Sequence, residues 1–166
     1  MTYVDPRYGW MWDFQSNMPI DELSEVEAQA RDGRGQLYCV ELGAEDLVES
    51  RRVLEVNWEQ GYLGVWFFDS VGRQSTKYAF DRVSVTKLFL SEVVVYSYSD
   101  DKYAEPPESE SSTSIYFTQD GRLTEVTSSK EGAYSEVVEF DNINVESNYE
   151  TLPTFGDWRS VVRYDR

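Results

Sequence analysis

With 166 residues, of which 40% are hydrophobic and 15% aromatic, the chain is long enough to bury one sizeable core and too rich in Trp, Tyr and Phe for an unfolded acidic polymer. Its 31 acidic residues outnumber 15 basic ones, and the resulting net charge of −16 disfavours direct contact with a nucleic-acid backbone or an anionic membrane surface. Without histidine and with a single cysteine, the chain cannot build a Ser-His-Asp or Cys-His catalytic arrangement, a zinc site of the His or multi-Cys kind, or an intrachain disulfide.

In chain order, residues 3–14 gather Tyr8, Trp10, Met11, Trp12 and Phe14 around Gly9. If extended, this segment puts Trp10, Trp12 and Phe14 on one side, as an edge strand or an arm packed on the core. An amphipathic helix of about three turns is predicted next. Ser16 or Asn17 caps it, Pro19 suits its first turn, and Asp21 and Glu22 complement its positive end. Ile20, Leu23, Val26 or Glu27, and Ala30 recur at helical spacing before Gly33 and Gly35 end the element. Its acids Glu22, Glu25 and Asp32 are expected on a solvated face. The neighbours of Cys39 read as a strand, which makes a buried, inert thiol. Residues 44–51 suggest a second short helix.

From Arg52 onward the hydrophobic period changes to two. Residues 53–58, 62–68, 77–80, 83–90 and 93–98 are short runs rich in Val, Tyr, Phe and Trp. Turn-like Gln60-Gly61, Ser70-Val71-Gly72 and Ser91-Glu92 separate them. A hairpin is predicted around Gln119-Asp120-Gly121-Arg122 with Asp120 and Gly121 as its loop. That register sets Phe117 opposite Thr124 and Ile115 opposite Val126, with Ile115, Phe117 and Val126 on one side and Thr118 and Glu125 on the other. Further strands are expected at residues 134–140, 142–146 and 158–164. The pattern predicts one mostly β (β-rich α+β) domain over residues 1–166. It is an antiparallel sheet forming a sandwich or open barrel, with one amphipathic helix near the N-terminus.

Residues 99–113 lack aliphatic anchors and read as a long, mobile, acidic loop. A loop of this length inside a compact domain is often functional. Between residues 100 and 150 there are 13 acids and 3 bases, a net of −10, against −6 for the rest of the chain. Tyr96, Tyr98, Tyr103, Tyr134 and Tyr149 are interleaved with these acids.

No phosphate-binding glycine loop, nucleophile elbow or calcium-binding loop spacing is present, and no cofactor or metal site is expected. Two suitably spaced carboxylates suffice for glycoside hydrolysis, but a chain with 31 acids offers such pairs without specificity. The expectation is therefore a non-enzyme. The N-terminal residues carry charges and no long apolar run, so neither a signal peptide nor a transmembrane helix is expected, and a cytoplasmic location follows.

Carboxylates accept charge-assisted hydrogen bonds from Arg and Lys, and Tyr rings add rigid contact area. The expected partner is a basic protein, either a toxin domain or a DNA- or RNA-acting enzyme. On this reading the chain is an inhibitor, an immunity protein or nucleic-acid mimic, with contact at Tyr96, Tyr98, Asp100, Asp101, Tyr103, Glu105, Glu108 and Glu110. Two other expectations compete. One is a barrel carrier whose interior, lined by Trp10, Trp12, Trp58, Trp66 and Phe68, holds an apolar ligand. The other is an adaptor that docks through residues 8–14.

Overall fold

The computed structural model describes residues 5–44, 47–100, 102, 109–130 and 135–164. The elements in order are β1 (Arg7–Asp13), β2 (Met18–Leu23), α1 (Glu25–Gly33), β3 (Tyr38–Ala44), β4 (Leu47–Asn57), β5 (Tyr62–Phe68), β6 (Gln74–Arg82), β7 (Lys87–Ser97), β8 (Ser111–Phe117), β9 (Leu123–Ser129), β10 (Ser135–Phe140) and β11 (Tyr149–Thr151). The fold is mostly β, as the two-residue period predicts. All strands join one antiparallel sheet in the order β10-β9-β8-β7-β6-β5-β4-β3-β1-β2, which does not close, and β11 pairs with β7. From β3 to β10 each strand pairs with its successor in sequence.

The helix begins later than the sequence pattern suggests. Residues 18–23 form edge strand β2, paired with β1 through Met11–Ile20 and Trp12–Pro19, so Pro19 lies in a strand rather than a helical turn. A proline is tolerated at a sheet edge because its missing N–H is not needed there. Ser24 is the true cap of α1: its hydroxyl accepts from the Glu27 N–H at 3.3 Å, and Glu27 accepts from the Ser24 N–H at 2.8 Å. Ala28 is the residue of α1 buried against the sheet. Asp32 is not on a solvated face. It accepts from the Tyr38 hydroxyl at 2.8 Å and from Trp58 Nε1 at 2.7 Å, tying the helix to β3 and to the end of β4.

Residues 47–51, expected as helix, belong to β4, whose alternation continues through Val53, Leu54 and Val56 in register with β3 and β5. Likewise, Ser91-Glu92 is a bulge inside a continuous β7 rather than a turn. Ala79 pairs with Glu92 while Phe80 pairs with Leu90, so Ser91 is the extra residue. The bulge follows from the apolar pattern: Leu88 and Leu90 face the core before it and Val93 faces it after, a change of parity that an added residue absorbs.

The core lies on one face of the sheet. Tyr38, Val40, Leu54, Val56, Leu63, Val65, Phe67, Tyr78, Phe80, Leu88 and Leu90 are buried beneath α1 and the C-terminal segment, which contributes Trp158 and Val161. Residues 158–164, expected as a strand, form instead an irregular strap over the sheet. The Tyr164 carbonyl accepts from the Tyr78 hydroxyl at 3.0 Å, and the Tyr164 ring sits edge-on to Phe67. Residues 142–146 are also not a strand. They lead from β10 past the β8–β9 tip, where the Ile143 N–H donates to the Gly121 carbonyl, and back to β7 through buried Asn148, whose amide donates to the Leu90 carbonyl.

On the reverse face a smaller cluster packs Trp12, Cys39, Val53, Trp66 and Phe68. β1 pairs with β3 only over residues 7–9, and the remainder of the strand carries Trp12 across this face. β1 is thus an inner strand between β3 and β2, not an edge, and its Trp12 packs on the reverse face. Cys39 is fully buried, as expected, and burial pushes its thiol up to about 12. Among the described residues no helix is long and apolar enough to cross a membrane.

Candidate functional site

Of the expected contact residues, Tyr98, Asp100 and Glu110 lie at the junction of β7 and β8. Pairing of Ser97 with Ser111 brings the two ends of the acidic segment together, and residues 111–113 are the first residues of β8 rather than the end of a loop. Arg73, which is 8% exposed, fastens the near end. Its Nε donates to Asp69 at 2.7 Å, and its Nη1 donates to the carbonyls of Asp100 and, at 2.9 Å, Lys102. The same guanidinium lies 4.2 Å from the centroid of Tyr98, whose hydroxyl donates to the Gln74 carbonyl at 2.8 Å. Tyr98 is therefore built into the root of the segment. The Asp100 carboxylate accepts from the Lys102 N–H. At the far end Glu110 bonds through its backbone to Ser97 and Lys130, leaving its carboxylate exposed. Asp101, Tyr103, Glu105, Glu108 and Tyr134 lie outside the described residues.

Tyr96 belongs to a different group. It lies on the reverse face with Glu92 and Tyr116, where burial first, and these two neighbours next, raise its hydroxyl above the usual range. Strand register extends the group to Glu55, Tyr62 and Lys77. Lys77 pairs with Glu92 at 2.8 Å and stands over the Trp66 ring. Glu55 accepts from the Trp12 N–H at 3.2 Å, and its carboxyl is raised by burial, an effect partly offset by that hydrogen bond and by Lys77. Gly64 makes room for the group, because a Cβ there would run into the Tyr62 hydroxyl and the Trp66 ring. The acids and the lysine are engaged with each other or with backbone, so this group fastens β1 over the sheet. Its one sequence signal is a glycine inside an aromatic-rich strand; the grouping itself depends on the register of five strands.

The five aromatic residues expected to line one interior do not meet. Trp12, Trp66 and Phe68 are on the reverse face, Trp58 packs against the core on the opposite face, and Trp10 is 39% exposed. Among the described residues no group of three or more His, Cys, Asp or Glu side chains is arranged to hold a metal ion.

The largest departure from ordinary packing lies beyond β7. No residue of β8, β9 or β10 is buried, and every residue of β10 is exposed. The C-terminal strap packs over β3 to β7, and among the described residues the buried core takes nothing from β8, β9 or β10, which form a wing of three strands. A sheet normally buries one face against another layer, and among the described residues this wing buries neither fully. The wing holds Glu125, Glu136 and Glu139, with Asp141 at its end, and none of these forms an ion pair among the described residues. Residues 109–141 contain only two cations, Lys130 and Arg122. Arg122 is held by Asp120 at 2.9 Å, with Asp141 and Glu139 acting on it from farther away. On the body of the fold, by contrast, Glu41, Asp69 and Glu92 are matched by Arg51, Arg73 and Lys77.

Comparison of the chain with protein-family profiles, with curated proteins and with solved structures found no match.

Proposed function

We propose that the chain is a non-catalytic, cytosolic binding protein that captures a basic protein, acting as an inhibitor of the immunity-protein or nucleic-acid-mimic kind. The observation that carries the reading is the uncovered wing, whose carboxylates have almost no cations to match them. Unpaired surface carboxylates create a field that steers a cationic partner and then accepts its Arg and Lys donors. The adjoining acidic segment, rooted on Arg73, adds the exposed carboxylate of Glu110, while Asp100 lies 3.9 Å from the Lys102 ammonium. A ligand carrier lacks comparable support, because the aromatic residues it requires are divided between two faces of an open sheet.

The test is inhibition of a panel of cationic nucleases and nucleotide-directed toxin domains, with association followed by stopped flow across a salt series. Association should slow steeply as salt rises. Replacing Asp100, Asp101, Glu105, Glu108 and Glu110 together by Asn and Gln should leave the melting temperature unchanged and slow association by about tenfold or more. An association rate indifferent to both salt and these replacements would sink the reading, as would turnover of a substrate by the purified protein.

A further inference from the structure

We propose that β10 is a docking edge, to which an extended cationic segment of the partner adds as one more antiparallel strand. This rests on the reading above and specifies how the basic partner is held. β10 is the last strand of the sheet and pairs with β9 through six consecutive positions, Ser135–Ser128 to Phe140–Leu123, without a register shift. Its outer side has no partner strand among the described residues, so a row of backbone donors and acceptors faces outward there.

The two edges of the sheet differ. β2 carries Pro19, which offers no N–H, and its backbone is bent at Asp21, where φ is +48°. These features blunt it against pairing. β10 has no proline, no bulge and no lysine. Its sequence, Ser-Glu-Val-Val-Glu-Phe, alternates across the two faces. Val138 and Phe140 lie on the core face; Phe140 ends an apolar row through Phe117 and Leu123, whereas the row from Val93 and Ile115 is broken by Glu125 before it reaches Val138. Val138 and Phe140 are 36% and 46% exposed, so the apolar row of Phe117, Leu123 and Phe140 ends at an exposed edge where one further strand would extend it, with Val138 exposed beside it.

Charge selects the occupant. Glu136 on the core face and Glu139 on the reverse face would each stand beside a residue of the added strand. A second copy of this chain would bring four glutamates together at the seam and join two molecules of net charge −16. A basic segment turns the same two positions into attractive pairs. The matching strand, read antiparallel from Phe140 to Glu136, is apolar, basic, apolar, unrestricted, basic. Main-chain bonds supply the attachment and the alternate side chains the selectivity.

The experiment uses a synthetic peptide containing Phe-Lys-Val-Thr-Lys and a twin with identical side chains whose alternate amides are N-methylated to block pairing. Both are titrated into the full-length 15N-labelled protein. The unmodified peptide should shift the amides of residues 135–140 and slow exchange of those pointing outward, and the methylated twin should bind at least about tenfold more weakly. Glu136→Lys with Glu139→Lys should weaken the peptide by a similar factor without lowering the melting temperature, both side chains being exposed. Equal binding of the two peptides overturns the docking edge while leaving a charge-driven partner intact, and shifts confined to residues 99–113 do the same. Sedimentation showing a dimer that occupies β10 at neutral pH overturns it in favour of a second copy.

Discussion

Glu55 illustrates how a single side chain couples the reverse face to pH. The carboxyl is withdrawn from solvent where β1 crosses β4, and burial raises its proton affinity in the fold. Because the folded value lies above the unfolded one, the stability this group contributes is complete below the ordinary glutamate range and declines as pH rises through the folded value. Glutamine keeps an oxygen to accept the Trp12 N–H and removes the charge. Glu55→Gln should therefore gain on the parent as pH increases from below 4.5 towards neutrality, and urea unfolding at several pH values measures the gap. Parallel pH curves would show that the carboxyl is not desolvated. Cys39 obeys the same physics: with its thiol at about 12 it stays protonated and unreactive in the folded protein. That inertness was legible from its strand neighbours, whereas the role of Asp32 was not, because its donors Tyr38 and Trp58 come from β3 and from beyond β4.

At the level of elements, the β8–β9 hairpin separates what local chemistry specifies from what it leaves open. Asp120-Gly121 correctly marks the turn, but the loop has three residues and not two. Thr118 and Arg122 close it, and Gly121 at φ +84° takes the left-handed position that adds a residue beyond a tight turn. The register moves by one: Phe117 faces Leu123 and Ile115 faces Glu125, while Val126 faces Ser114 on the opposite side. Both registers satisfy the Asp-Gly preference, and the choice falls to pairing with β7 and β10. An alanine at position 121 is strained by handedness, and its Cβ would sit 2.8 Å from the Ile143 carbonyl oxygen. Gly121→Ala should cost about 1–2 kcal/mol from handedness alone, read from denaturant midpoints at constant slope. Pairing also sets the start of α1. The sequence pattern places it at Ser16 or Asn17 with Pro19 and misses the Ser24–Glu27 capping box, which wins because residues 18–23 pair with β1.

Across the whole molecule, a two-layer body continues into a one-layer wing through β7, whose residues 87–89 pair with β11 and whose residues 92–97 pair with β8 along the same side. Local opening free energy follows buried apolar contact, so the amides of β8 to β10 should exchange with solvent far faster than those of β4 to β6. Hydrogen exchange read strand by strand measures this, and uniform protection would mean that the wing is covered in solution. Fold class and excess acidity were legible in the sequence, since both follow from composition and period. The bare wing was not: β8 alternates through Ile115 and Phe117 as a covered strand does, and only the register that sets Glu125 beside Ile115, with the reach of the C-terminal strap, shows where the covering stops. That strap has a consequence for the order of assembly. Strands β3 to β10 meet as sequence neighbours and can zip in succession, a low-separation route that favours rapid pairing. Trp158 and Val161 reach the apolar side of β3 to β7 from the far end of the chain. During synthesis a nearly complete sheet must hold its greasy side open until Trp158 and Val161 emerge, and that interval is when the nascent chain is most exposed to misassociation.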